Sequence, residues 1–432
     1  MARLPHTLAI ALGLLSCADT LLLASAGPAL AQAGQPKPMA MPAQTTQGNP
    51  SQLFDARRYR PAVLRLSFTT QRQGNKVDNQ RGFIDITLIP ATGSVIGKRV
   101  EVATDAFVAD LRKLYAQLSR QDALDVADPA SPARQLHRLL IEPIQPELTS
   151  AGVTTLLISA DPGLQAIPFA ALHDGKTYLG ERYSFSLTPS LGLMPLDPPV
   201  RQASVQQIAM GASRFDQLNP LPLVPQELSK VADATHAQAS NVYVNGTFSP
   251  KLLLDKASDN SVDRIHVATH AEFLPGGPSQ SKLYTGTGAL SLSDFASLRQ
   301  RRQGTPLQLF TLSACRTALG DRDSELGFAG LALQAGSRSA VGSLWYVDDV
   351  ATSAYYVLLY RYLSAGIPKA EAMQLVRIAM ANGRLRLDGD RILGPNGEVV
   401  LDHLSSEQKR RIGSGLQHPY FWAGIELLGT PW

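Results

Sequence analysis

A chain of 432 residues, 44% apolar and 18% charged, is too hydrophobic for intrinsic disorder and long enough for one large α/β unit or two domains. Its 40 Lys and Arg against 36 Asp and Glu give a formal charge of +4, with no basic cluster interleaved with aromatics, so nucleic-acid binding finds no support. The eight histidines are scattered without the spacing a zinc site needs, so no metal is expected, and nothing suggests another cofactor.

The N-terminus places Arg3 ahead of an apolar run and ends it at Ala29-Leu30-Ala31, the three-part order of a secretory signal peptide over residues 1–31. Asp19 interrupts the run and leaves it short of the roughly 20 residues a spanning helix needs. Lipid attachment at Cys17 is the alternative, since Leu14-Leu15-Ser16-Cys17 loosely resembles a bacterial lipobox. Cleavage after Ala31 would remove Cys17 and leave Cys315 as the only thiol, with no intramolecular disulfide. The product is expected to be exported, periplasmic or extracellular, without stable membrane insertion. Residues 32–52, rich in Gln, Pro and small side chains, read as a flexible tether.

Segments 62–70 and 82–90 alternate apolar and polar residues and predict a small β-meander. A helix over 104–119 puts Phe107, Val108, Leu111, Leu114, Tyr115 and Leu118 on one face behind Thr104-Asp105 as caps. A second helix over 132–141 carries Arg134, His137 and Arg138 on its polar side. Residues 53–150 thus form a meander with helices, either a unit of their own or an extension of the domain over 151–432.

From residue 154 onward short apolar strands (154–160, 206–213, 263–270, 307–315, 338–345) alternate with helices near 225–236, 248–257, 292–300, 325–336, 349–365 and 368–382. That order predicts an α/β fold with a mainly parallel sheet flanked by helices, in which ligands bind at the carboxyl ends of the strands. Segment 384–412 reads as a hairpin insertion turning at Pro395-Asn396-Gly397, and HPYFWAGIELLGTPW as a last core strand.

His270 ends one apolar strand and Cys315 another, so a parallel sheet would bring both to one edge. A thiolate attacks, and a neighbouring imidazole takes its proton and later protonates a leaving amine. Backbone N–H groups of Ala271 and Cys315 are candidates for stabilising the oxyanion. Taken singly, each residue has a bland alternative, a buried structural thiol for Cys315 and a strand-end histidine bonded to a loop for His270. His266, in mid-strand, competes for the role of base but reads better as a satisfied core histidine.

The motifs HVATHAEF (266–273), LSACRTALGD (312–321), ELGFAGLALQAG (325–336), SLWYVDDVAT (343–352) and HPYFWAGIELLG (418–429), with 156–191 upstream, together resemble the CHAT domain, a caspase-like cysteine peptidase family related to separase. The resemblance implies a caspase-like fold, His270 as catalytic histidine and Cys315 as nucleophile. By analogy with the separase-like branch it implies that Asp348 and Asp349, after Trp345, line a pocket for a basic substrate residue; their alternative is a helix N-cap pair. Asp321, Asp323 and Glu325 read as a solvated cluster, with 321–323 as a candidate mobile or cleavable loop, and Gly327, Gly330, Ala332 and Ala335 as a helix pressed close to the sheet. The expected activity is endopeptidase hydrolysis of a protein or peptide substrate through a thioester acyl-enzyme. The alternatives are a catalytically silent scaffold or interaction module that binds a protein partner through its N-terminal region, and acyl transfer to an amine.

Overall fold

The computed structural model describes residues 60–73, 76–188, 205–235, 241–272, 281–295, 297–302, 305–314, 330, 332–333, 335–345 and 348–432. The signal and tether expected over 1–52, Cys17, Cys315, the acidic cluster Asp321, Asp323 and Glu325, and Gly327 lie outside the described residues.

Alternation builds the expected meander from β1 (Pro61–Gln73) and β2 (Lys76–Pro90) and adds an unexpected third strand, β3 (Ile96–Ala103). Leu64, Leu66, Ile84, Ile86 and Leu88 are fully buried, whereas Arg65 between the first two is exposed. β3 escapes a reading by pattern because it lies at the sheet's edge and buries only Val102 fully. The buried face meets helix Thr104–Arg120, where Phe107 stacks on Phe68 at 6.0 Å and Val108, Leu111, Leu114 and Leu118 are buried as their spacing predicts. The expected Thr104-Asp105 cap is corrected: Ala103 is the N-cap, with no side-chain bond, and Thr104 is already helical and buried.

The second helix, Pro132–Leu140, exposes Arg138 but buries His137, against expectation. A second layer of chain covers that side, with His173 N–H donating to Ala133 O at 3.3 Å. Burial pushes His137 down to about 4, so it is neutral near pH 7.

The remaining strands in chain order are β4 (Thr155–Ala160), β5 (Ser184–Thr188), β6 (Gln207–Gly211), β7 (Val242–Val244), β8 (Arg264–Ala268), β9 (Ala271–Glu272), β10 (Lys282–Thr285), β11 (Gly288–Ser291), β12 (Leu309–Ser313), β13 (Ser339–Ser343), β14 (Arg386–Asp388), β15 (Arg391–Leu393), β16 (Val399–Leu401) and β17 (Ile425–Gly429). Among the described residues eleven of the strands form one sheet in the order β3-β2-β1-β4-β5-β17-β13-β12-β8-β6-β7. Neighbours run parallel except at β3–β2, β2–β1 and β17–β13, so the sheet is mainly parallel, as the alternation of strand and helix predicts. The meander extends this sheet, with β1 parallel to β4 from Pro61 opposite Thr155 to Leu66 opposite Ala160.

β4, β5, β6, β12, β13 and β17 are buried at every residue because protein covers both faces. On β12 the two layers are visible at adjacent positions. Thr311 accepts from Tyr360 of helix Asp349–Ser364 at 3.0 Å, and Phe310, pointing the other way, meets Phe295 edge-on at 5.6 Å. The helix expected over 292–300 is instead two short pieces, Leu292–Phe295 and Leu298–Arg301. The expected insertion is a three-stranded sheet, β14-β15-β16, in which Gly397 takes φ +82° in the turn between β15 and β16.

Candidate functional site

β8 and β12 are adjacent and parallel, in a register that sets Ala268 opposite Ser313. Thr269 N–H donates to Ser313 O at 3.1 Å, so the ladder runs one residue past the end of β8, to the last residue of β12. His270 then stands on the carboxyl edge of the sheet, as does Ala314, whose carbonyl accepts from Ser343 Oγ at 2.7 Å. Cys315, next in sequence, lies outside the described residues.

The His270 ring is partly exposed and held in one orientation. Its Nε2 is 2.8 Å from the carbonyl oxygen of Asn219, and Phe215 packs at 4.7 Å between ring centroids. A carbonyl can only accept, so Nε2 carries the proton and Nδ1 keeps the lone pair when the ring is neutral. The main chain is held from the other side, with Tyr284 N–H donating to His270 O at 3.0 Å. Ala271 opposes Leu283 at the next position of the β9–β10 ladder. By antiparallel alternation this is a non-hydrogen-bonded pair, and the Ala271 N–H is directed away from β10. On the same short sheet the Tyr284 hydroxyl donates to Glu272 Oε2 at 2.8 Å. Burial, reinforced by that carboxylate, pushes this phenol up to about 12.

His266 is a core residue, as its mid-strand position predicts. It is wholly buried, with Nε2 2.8 Å from Glu227 Oε1 and the rings of Tyr356 and Tyr360 edge-on at 5.3 and 5.2 Å. Glu227 Oε2 accepts from Ser353 Oγ at 2.6 Å, so one buried carboxylate joins helix Val224–Ala234, β8 and helix Asp349–Ser364.

Asp348 is the N-cap of helix Asp349–Ser364, its Oδ1 accepting from Val350 N at 2.9 Å and Ala351 N at 3.1 Å. Arg411, from helix Ser406–Arg411 at the end of the insertion, places Nε 3.4 Å from Asp348 Oδ2 and bonds Asp349 Oδ1 through Nη2. The two carboxylates are largely buried, at 10% and 16% side-chain exposure, and one guanidinium serves both. Burial pushes the Asp349 carboxyl up, with Arg411 opposing.

Asn219, Phe215, Tyr284 and Arg411 are the contacts that sequence reading missed. None belongs to a motif, and only their spatial neighbours single them out. Among the described residues no group of three or more His, Cys, Asp or Glu gathers as a metal site, and no helix is long and apolar enough to cross a membrane.

No curated protein matches the chain. Similar solved structures include a chain of the Saccharomyces cerevisiae separase–securin complex, at 13% identity and TM-score 0.41, covering 78% of this chain. This chain spans only 21% of that one. The Arg-specific cysteine proteinase gingipain R is similar at 10% identity and TM-score 0.39, over 71% of this chain and 69% of its own. A complex of the pro- and mature domains of Porphyromonas gingivalis RgpB matches at 10% identity and TM-score 0.38, over 71% of this chain and 70% of its own. The family model described as the CHAT domain matches residues 130–430. With well over half of its length matched, the chain belongs to the CHAT domain family.

Proposed function

We propose that the chain is a cysteine endopeptidase in which Cys315 is the nucleophile and His270 the general base. The observation that carries this reading is the in-register parallel pairing of β8 and β12, which puts His270 and the residue preceding Cys315 on one sheet edge, with Nδ1 unprotonated. His270 Nδ1 takes the Sγ proton and the thiolate attacks the scissile carbonyl carbon. The oxyanion draws on the backbone N–H groups of Ala271 and Cys315. Collapse breaks the C–N bond, the imidazolium proton goes to the departing amine, and a thioester remains. Water, deprotonated by the same imidazole, then attacks the thioester; the carboxylate leaves and the thiol is regenerated. The test is covalent labelling of the folded, reduced protein with peptidyl fluoromethyl ketones. Mass spectrometry should find the adduct on Cys315, and no labelling across a broad peptide panel would overturn the reading.

Cleavage after Arg or Lys is part of the proposal. The carboxylates of Asp348 and Asp349 already bind a guanidinium, which supports recognition of a basic substrate side chain in place of Arg411. Arg411→Ala should then lower KM for arginyl substrates roughly tenfold, the scale of one charge-assisted hydrogen bond. Asp348→Asn, which retains an oxygen for the helix cap, should raise it. Unchanged KM in both variants would exclude this pair from specificity.

Export through residues 1–31 belongs to the same proposal, and N-terminal sequencing of the secreted or periplasmic product should begin at Gln32. A second reading, an interaction module, is favoured by the outer edge of the meander, where β3 ends the sheet and Val95 is 62% exposed. In that case Cys315→Ala would leave partner capture intact and no turnover would be found.

A further inference from the structure

Asn219 and Phe215, which hold the His270 ring, lie on the connection between β6 and helix Val224–Ala234 rather than on a strand or helix. The ring is therefore only as fixed as that connection. It is closed at its base by Leu221 N–H donating to Ser213 O at 3.0 Å, and Ser213 is gripped by the Asn245 side chain. Asn245 Oδ1 accepts from Ser213 N at 2.8 Å and lies 3.2 Å from Ser213 Oγ, and Asn245 Nδ2 is 3.1 Å from the same hydroxyl.

Asn245 follows β7 with φ +51°, a left-handed backbone that Asn and Asp adopt more readily than other side chains. Its carbonyl lies against Gly286, where an added Cβ would come within 1.9 Å of Asn245 O. Gly286 sits in the turn of the β10–β11 hairpin, whose Tyr284 holds the His270 carbonyl and whose β10 pairs with β9 immediately after His270. One half-buried residue on the same carboxyl edge, two strands away from β8, thus touches both segments that immobilise His270, one through its ring and one through its main chain.

We infer that Asn245 is a positioning residue for His270. It clamps the 213–221 loop so that Asn219 keeps the proton on Nε2, and it braces the hairpin that fixes the His270 backbone. The inference rests on His270 acting as base, so its test carries one readout that needs no turnover. In the full-length, ¹⁵N-labelled protein the His270 ring should show a single neutral tautomer protonated at Nε2. Asn245→Gly relieves the left-handed backbone and removes the acceptor; it should give mixed tautomers and lower kcat roughly tenfold to a hundredfold with KM nearly unchanged. Asn245→Ala should do the same, and Asn245→Asp, which keeps both the acceptor and the backbone preference, should restore wild-type behaviour. Should Asn245→Ala fail to fold, Asn245→Gly decides. A folded Asn245→Gly protein with wild-type ring signals, or with altered signals that Asn245→Asp shares, would overturn the inference. A wild-type protein without turnover would sink the peptidase reading, while the ring signals would still decide the role of Asn245.

Discussion

Cys315→Ala is expected, on the proposed mechanism, to abolish peptide cleavage, a fall on the order of 10³-fold or more, because unactivated water is a far poorer nucleophile than the thiolate. His270→Ala should cost about as much at pH 7 but respond differently to pH. With Nδ1 gone, thiolate forms only by ionisation into bulk solvent, and an unassisted thiol ionises at about pH 8.5. Residual cleavage and labelling of His270→Ala should therefore rise as pH approaches that value, whereas Cys315→Ala stays inactive throughout. Rates measured from pH 6 to pH 9 on folded variants check the pair. Turnover surviving in Cys315→Ala would remove the cysteine mechanism, and a pH-independent residual rate in His270→Ala would remove the base. His266→Gln should not mimic either profile, since His266 is sealed in the core against Glu227 and the Tyr356 and Tyr360 rings.

Arg377→Ala is expected to destabilise the fold by about 3–5 kcal/mol, the scale of emptying a large, wholly buried side-chain site. Arg377 and Glu426 are both wholly buried and 3.6 Å apart. The guanidinium also donates to Ile425 O at 2.8 Å and lies 4.4 Å over the Phe185 ring. One side chain of helix Lys369–Ala381 thereby fastens β17 and β5, the two strands that join the meander half of the sheet to the half bearing His270. Among the described residues neither Glu426 oxygen has a hydrogen-bond partner, so the polar pair is poorly compensated, and the double variant Arg377→Met with Glu426→Leu should recover much of the loss.

The same pair predicts a pH dependence. Burial pushes Glu426 from its ordinary 4.5 up to about 8, with Arg377 opposing. Between those values the native carboxyl holds a proton that the unfolded chain has released. The contribution of Glu426 is therefore fully present below 4.5 and is lost as pH rises through about 8. Urea unfolding of wild type against Glu426→Gln should show wild type losing stability relative to the variant from pH 5 to pH 8. A constant or reversed difference would mean that Glu426 is ionised in the native state.

Five core strands were legible as short apolar runs, and 154–160, 206–213, 263–270, 307–315 and 338–345 all contain strands, trimmed at their ends; β5 (Ser184–Thr188), equally buried, was missed because only Phe185 and Leu187 of its five residues are apolar. Trimming bears on the site, since β8 stops at Ala268 and β12 at Ser313 and leaves His270 beyond the strand on the edge. β7 and β3 were missed because each lies at a sheet margin with little apolar burial to mark it. His137 was misassigned because helical periodicity reports one buried face, and here a distant segment covers a second.

The local pattern by itself determined that this is an α/β chain, that His270 and Cys315 stand at the ends of apolar runs, and that residues 418–432 supply a last core strand; burial of short apolar runs is a near-neighbour property that spacing encodes. Strand adjacency was decided only in three dimensions. The antiparallel β17 lies between β5 and β13, and β1 joins β4, through pairings between segments far apart in sequence that leave no local signature. The same holds for Asn219 on Nε2 of His270, Asn245 on Ser213, and Arg411 on Asp348 and Asp349. Each is a polar contact from a loop or insertion, and its meaning comes from the atom it reaches rather than from the pattern around it.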